Sequence, residues 1–323
     1  LGSNTTIDTD ASDTAGDITI AAVTGGSNTL TLSTGDNVAN TDITASGAIS
    51  GVTTLTLADV GGTATLSGDV DVTTLTVGNT VANVAFTGNG SSVTNAFTPA
   101  NDGTFVFGTS GGTQTYNGGL TTTSVGSTVT LNGTIASSDD AITLGAVTLG
   151  SNVTIDTNST TTNRADITIA AVTGGSNTLT LTTENNVTGT DITASGNISG
   201  VTTLTLASVG GTATFAGDVD VTTLAVDNTV ANVALNGDGS SVTNAISFAN
   251  DGTLQLGDAT GDTLTFNGGL TTTSVGGTVT LNGEIETSND AIVLGAVTLG
   301  SNTTIDTDAS DTAGDITIAA VTG

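Results

Sequence analysis

The sequence has no cysteine, methionine, tryptophan or histidine, and its only basic side chain is that of Arg164. Without cysteine, disulfides and thiol chemistry are excluded. Without histidine as well, Ser-His-Asp and Cys-His catalysis and thiolate or imidazole metal sites are excluded. The remaining catalytic resource is a pair of carboxylates, as in glycosidases, but such sites normally add cationic or aromatic residues to hold sugar. We therefore expect that the protein is not an enzyme.

Positive charge is almost absent. Thirty acidic residues face one basic residue, which gives a formal net charge of −29. Repulsion between like charges makes polyanions poor partners, so we expect neither nucleic acid nor an anionic membrane surface. No apolar run reaches the length of a membrane span, and we expect no direct membrane insertion of this segment.

Aromatic residues make up only 2% of the chain, and there is one proline. Tandem β-sandwiches usually bring a buried aromatic residue and proline in their loops, so they are the less favoured alternative. Disorder requires low hydrophobicity, whereas 36% of the residues are hydrophobic and the mean hydropathy is +0.23. The composition favours a folded chain.

Repetition is the most informative feature that the sequence does contain. Residues 1–25 and 299–323 are identical, and a diverged copy begins at Leu149. The segment DITIAAVTG recurs at spacings of 149 residues, opening at Asp17, Asp166 and Asp315. Such a period indicates a tandem array, and we expect the 323 residues to be part of a longer one. We predict one continuous solenoid with two repeat units and the start of a third, at 1–148, 149–298 and 299–323.

Within each unit, apolar and polar residues alternate with period two, which is typical of β-strands. Pairs of Gly, Asn, Asp and Ser between the runs are turn residues. Threonine, the commonest residue type, suits the exposed side of a strand, so the alternate Leu, Ile, Val and Phe would point inward. Recurring apolar-x-Gly steps indicate coils of roughly 20 to 25 residues. We predict an all-β fold, a parallel β-helix (β-solenoid), in tandem units of about 149 residues.

An acidic turn near each end of the chain is the best candidate metal site. Close-spaced carboxylates are what Ca²⁺ requires, and the candidate ligands are Asp8, Asp10, Asp13, Asp17, Asp306, Asp308, Asp311 and Asp315. The middle copy has Asn158 in place of Asp10 and no carboxylate at 161–163. These losses favour a solvated turn over a calcium site. Apart from calcium, no cofactor is expected.

Threonine pairs suggest a different surface. Flat TxT arrays on a regular β-solenoid can bind ice, and the candidates are Thr54 and Thr56, Thr203 and Thr205, and Thr121 to Thr123. Against this reading, coil lengths vary and the threonines do not recur at one fixed offset along the sequence.

The runs GDITIAAVTGGSNTLTL and SGDVDVTTLTV resemble those of large β-strand-repeat surface proteins of bacteria, the filamentous-haemagglutinin-like and autotransporter-passenger-like adhesins and fibres. The resemblance covers the whole chain and lies in repeat style, not in a catalytic motif. It implies a right-handed parallel β-helix, an extracellular or cell-surface location, and a fibre or adhesin stalk whose length is set by repeat number. The uniformity of the repeat units favours a filament or spacer over a receptor-binding tip.

This interpretation makes other copies of the chain the expected partners, through end-to-end coil stacking or lateral bundling. The ligand of any distal tip is left open. The alternative functions are a calcium-stiffened adhesin segment and a Thr-rich ice-binding module.

Overall fold

The computed structural model describes residues 1–9, 15–35, 39–158, 164–184, 187–307 and 313–323. Within these ranges the chain forms 29 β-strands and no helix. None of the described residues therefore belongs to a helix that could cross a membrane. The chain divides into two compact units, Leu1–Asp156 (unit 1) and Thr157–Gly323 (unit 2).

Unit 1 contains strands β1 to β14. Their bounds are Thr5–Asp8, Ile18–Ile20, Val23–Thr24, Leu30–Gly35, Ile43–Ala45, Ile49–Leu66, Val70–Val77, Val81–Phe86, Ser92–Val93, Phe105–Phe107, Thr113–Tyr116, Leu120–Thr121, Val129–Ser137 and Ile142–Asp156.

Unit 2 contains strands β15 to β29. Their bounds are Ile167–Thr173, Thr178–Thr182, Ile192–Ala194, Ile198–Ala207, Thr212–Phe215, Val219–Val226, Asn232–Leu235, Ser241–Val242, Ile246–Ser247, Leu254–Leu256, Thr263–Phe266, Leu270–Thr271, Val279–Glu286, Ile292–Asp306 and Ile316–Thr322.

Within each unit, every strand pair whose register is resolved is parallel, and each strand lies on the strand one coil further along the chain. The offset between paired residues varies from 18 residues, between Val129 and Val147, to 26 residues, between Val23 and Ile49. Most offsets lie between 20 and 25, as between Thr5 and Leu30. The predicted all-β parallel β-solenoid is confirmed. Tandem β-sandwiches are excluded because a sandwich is built from antiparallel strands.

The core of each unit consists of apolar side chains stacked in register from coil to coil. One such ladder in unit 1 has seven buried members: Ile18, Ile43, Ala64, Val84, Phe105, Val129 and Val147. The corresponding ladder in unit 2 begins with Ile167, Ile192, Ala213, Val233, Leu254, Val279 and Val297. Period-two alternation therefore sorts most strand side chains as predicted, with apolar residues inside and threonine outside. Thr34 in β4 and Thr182 in β16 are buried exceptions.

All seven phenylalanines and the single tyrosine are fully buried. In unit 1, the rings of Phe105 and Phe107 stack with their centroids 4.0 Å apart, and Phe97 stacks on Tyr116 at 5.7 Å. Because they fill the core, these rings are not available on the surface as stacking platforms for a ligand.

Candidate functional surfaces

The acidic turns are only partly described. Asp8, Asp17, Asp306 and Asp315 lie in described ranges, whereas Asp10, Asp13, Asp308 and Asp311 lie outside the described residues. Among the residues that the structure describes, no group of three or more carboxylates could hold a metal ion. The calcium site stays a prediction.

The carboxylate of Asp17 has a structural partner. Its Oδ1 accepts a hydrogen bond of 2.9 Å from the backbone N–H of Asp42, one coil further on, and Asp42 accepts in turn from the N–H of Thr63 at 2.7 Å. Unit 2 repeats the arrangement, since Asp166 accepts from Asp191 at 2.8 Å and Asp191 from Thr212 at 2.8 Å. Asp17, Asp166 and Asp191 therefore cap the start of a strand in the next coil, whereas Asp42 bonds to a residue within β6.

A threonine hydroxyl forms a hydrogen bond between the two residues that flank each acidic turn. The hydroxyl of Thr157 donates to the carbonyl of Ala165 at 2.8 Å, and Thr307 donates to Gly314 at 2.9 Å. Thr9 donates to Gly16 in the same way. These hydrogen bonds join the described residues that flank each acidic turn.

The only arginine forms a surface ion pair. Arg164 Nη2 lies 2.8 Å from Asp191 Oδ2, and the two side chains are 55% and 38% exposed. Exposed pairs of this kind contribute little to stability.

Threonine columns form a face in each unit, which we call the threonine face. In unit 1, its columns are Thr6–Thr31–Thr56–Thr76 and Thr54–Thr74, stacked in register. In unit 2, they are Thr178–Thr203–Thr223 and Thr180–Thr205. An asparagine ends one column in each unit, because Asn95 Nδ2 donates to Thr74 Oγ1 at 2.9 Å and Asn244 Nδ2 to Thr223 Oγ1 at 2.8 Å.

The sequence alone did not reveal these columns, because the spacing between stacked threonines varies with the length of each coil. The strands of successive coils nevertheless align. Two of the three predicted threonine groups, Thr54 with Thr56 and Thr203 with Thr205, belong to the threonine face. The third group, Thr121 to Thr123, does not form a flat array. Thr122 is 2% exposed and its Oγ1 accepts from the N–H of Gly145, so its side chain is turned away from the surface.

An open groove follows one corner of the coils in each unit, beside the threonine face. We call it the hydroxyl groove. Its volume is about 310 Å³ in unit 1 and about 280 Å³ in unit 2. The polar residues that line it are Ser27, Thr53, Asp71, Thr73, Ser92 and Thr94 in unit 1. Their counterparts in unit 2 are Ser176, Thr202, Asp220, Thr222, Ser241 and Thr243.

A backbone bulge shapes the floor of the groove. The pairing of β6 with β7 shifts register between Ser50 and Val52, and Gly51 has a φ of +66° at that point. A left-handed conformation of this kind favours glycine. Gly200 repeats it in unit 2 with a φ of +67°. Because Gly51 has no side chain and Val52 is buried, the floor stays open.

Among its described lining residues each groove has one carboxylate, and the pKa of that carboxylate is raised. Partial burial raises the pKa of Asp71, the neighbouring charge of Asp69 raises it further, and a hydrogen bond from the backbone of Ser92 opposes both effects. The pKa of Asp220 is raised by the same combination, with Asp218 as the neighbouring charge. These two aspartates were not among the predicted site residues. The recurring Val-Thr steps at Val52, Val72 and Val93 were the signal in the sequence that could have located the corner.

No family model matches the chain, and comparison with curated proteins and with solved structures likewise finds no match.

Proposed function

We propose that this chain is a structural segment of an extracellular or cell-surface fibre or adhesin stalk, with its length set by repeat number. The observation that carries the proposal is the in-register stacking of like side chains from coil to coil, as in Ile18 on Ile43. Each coil then offers the next one nearly the same surface, so units can be added without new interfaces.

The composition supports an exposed setting. Lysine, cysteine and methionine are absent, so thiol and thioether oxidation are avoided and Arg164 is the only possible trypsin site. Other copies of the chain are the proposed partners, through end-to-end stacking or lateral bundling.

The test of the stalk proposal is the dependence of molecular dimension on repeat number. Chains extended by one, two and four further 149-residue units should lengthen in small-angle X-ray scattering by on the order of 30 Å per unit, since seven coils are spaced about 4.8 Å apart. A maximum dimension that grows only as the cube root of mass would refute the proposal. Compact globular proteins of matching mass serve as the control, because their maximum dimension follows the cube root of mass.

The threonine face supports ice binding as a second candidate function. Its threonines stand about 6.7 Å apart along a strand and about 4.8 Å apart between coils, which gives a regular array of hydroxyl and methyl groups. The threonine side chains of the array carry no charge themselves.

The test of ice binding is inhibition of ice recrystallisation. Replacing Thr56 and Thr205 with lysine should abolish it, because a long charged side chain breaks the array. The matched control replaces Thr65 and Thr214 with lysine; these two threonines lie on another ladder. Equal activity of the two variants, or no activity in the unaltered protein, would contradict this candidate.

A further inference from the structure

We propose that the hydroxyl groove of each unit binds a short, uncharged carbohydrate chain that lies along the coil axis. This inference does not depend on the stalk proposal, because it concerns the surface of a corner and not the stacking of coils.

The chemistry of the rims indicates the ligand class. Serine and threonine hydroxyls both donate and accept hydrogen bonds, and sugar hydroxyls do the same. Thr53, Thr73 and Thr94 form one rim, each following a buried valine. Asp71 and Ser92 form the other, paired with each other in the ladder of β7 and β9. A ligand between the rims therefore meets hydroxyl groups on both sides.

The carboxylate of Asp71 favours a ligand that carries hydroxyl groups and no negative charge. It is the only charged side chain among the described residues that line the groove in unit 1, and an ionised carboxylate is a strong acceptor for hydroxyl donors. The single arginine of the chain contacts Asp191 instead, so no basic side chain is left to hold a sulfated or carboxylated sugar. One carboxylate is also too few for a divalent cation, which takes six or more oxygen ligands.

The dimensions set the length of the ligand. The lining residues come from four successive coils, from Ser27 to Thr94, which corresponds to on the order of 14 Å along the axis. A volume of about 310 Å³ is at the small end of ligand sites, which span about 300–1,000 Å³. The groove is open to solvent and its described lining has no aromatic platform, so we expect weak binding with fast exchange.

The same groove occurs in both units. This recurrence supports a binding function and argues against an accidental irregularity of one corner. All six polar lining residues, and the valines that line the floor, have the same residue type in the two units, whereas the core differs elsewhere, for example at Phe86 and its counterpart Leu235. A stalk carrying one such groove in every unit would bind a long glycan at several points, which raises the overall affinity above that of a single groove.

The experiment is saturation-transfer NMR on the whole chain with three neutral probes: cellotriose, maltotriose and triacetylchitotriose. At least one should receive saturation and shift the threonine methyl signals of the groove. A hyaluronan tetrasaccharide, which is anionic, is the comparator and should receive none. If no neutral probe receives saturation, or if the anionic probe binds as well as the best neutral one, the proposal is wrong.

A pair of isosteric substitutions locates the binding. Thr73→Val together with Thr222→Val removes one hydroxyl from each groove and should weaken the affinity roughly fivefold, the equivalent of one neutral hydrogen bond. The control is Thr19→Val with Thr168→Val, which removes exposed hydroxyls from another ladder. Unfolding by urea verifies that both variants fold. Equal affinity in the two variants would overturn the assignment to the groove.

Discussion

The side chains of Gln114 and Tyr116 satisfy each other inside the core of unit 1. Tyr116 Oη donates to Gln114 Oε1 at 2.9 Å, and both residues are 1% exposed or less. Gln114 Nε2 donates in turn to the carbonyl of Phe86 at 2.8 Å. Their counterparts in unit 2 are Leu264 and Phe266, which are buried and apolar. The two units thus fill the same site either with a complete polar network or with none.

The first prediction is that these two residues are energetically coupled. Tyr116→Phe leaves Gln114 Oε1 buried without a donor, which should lower the free energy of unfolding by about 1–3 kcal/mol. Adding Gln114→Leu should restore most of the loss, because the pair then matches unit 2. Urea denaturation of the two single variants and the double variant measures the coupling. Additive losses in the double variant would contradict it.

The second prediction concerns alkaline pH. Burial raises the pKa of Tyr116 well above its usual value, because the phenolate is disfavoured in the core. The folded chain therefore holds this proton more tightly than the unfolded chain does. Stability should be unaffected below about pH 10, the unfolded pKa, and should fall by up to about 1.4 kcal/mol per pH unit above it.

The control for this titration is the double variant Gln114→Leu, Tyr116→Phe. The chain has no other tyrosine and no cysteine or lysine, so the double variant should lose most of the alkaline slope in urea denaturation curves. A slope equal to that of the unaltered protein would assign the effect to another group.

The third prediction concerns the carboxylates of the hydroxyl grooves. The pKa values of Asp71 and Asp220 are raised by partial burial and by their acidic neighbours, so the folded chain disfavours their charged forms. Asp71→Asn with Asp220→Asn should therefore raise the melting temperature at neutral pH. The advantage should shrink as the pH falls through the raised pKa towards the unfolded value, because the unaltered side chains then become protonated as well.

The matched control for the groove carboxylates is Asp102→Asn with Asp251→Asn, an exposed pair in equivalent positions of the two units. It removes the same net charge. If the control pair stabilises the protein equally and with the same pH dependence, the effect belongs to the overall charge and not to the grooves.

The fourth prediction concerns calcium. We expect nearly equal melting temperatures in calcium and in sodium at matched ionic strength, because Asp17 and Asp166 already cap neighbouring strands. Calcium bound to the folded chain would add about 2.7 kcal/mol at a hundredfold excess over Kd. A calcium-specific gain of this size that Asp10→Asn with Asp308→Asn abolishes would establish the acidic turns as calcium sites.

The fifth prediction concerns close stacking at a corner. A Cβ atom at Gly25 would lie 2.4 Å from the backbone oxygen of Gly51, so the coils would have to separate. Gly25→Ala should lower the free energy of unfolding by about 1–3 kcal/mol. Gly261 has no atom within 4 Å of the position of a Cβ, and Gly261→Ala should change stability by no more than about 0.5 kcal/mol. Equal effects in urea denaturation would show that the corner can relax.

Local patterns in the sequence determined the strands and the direction of most side chains. Leu55 and Leu57 are buried while Thr54 and Thr56, which alternate with them, face outward, because side chains alternate across a strand whatever lies beyond it. The period of 149 residues likewise predicted a stacked array. The acidic turns, in contrast, were singled out by charge alone, and Asp17, in the described part of the first turn, caps a strand.

Only the tertiary structure decided which residues of different coils meet. Coil offsets range from 18 to 26 residues, and one glycine bulge, as at Gly51, shifts the register of the later residues in its strand. The threonine face and the hydroxyl groove therefore join residues such as Ser27, Asp71 and Thr94 that no fixed spacing connects. The physical reason is that backbone hydrogen bonds between coils set the register, while the length of each corner is free to vary.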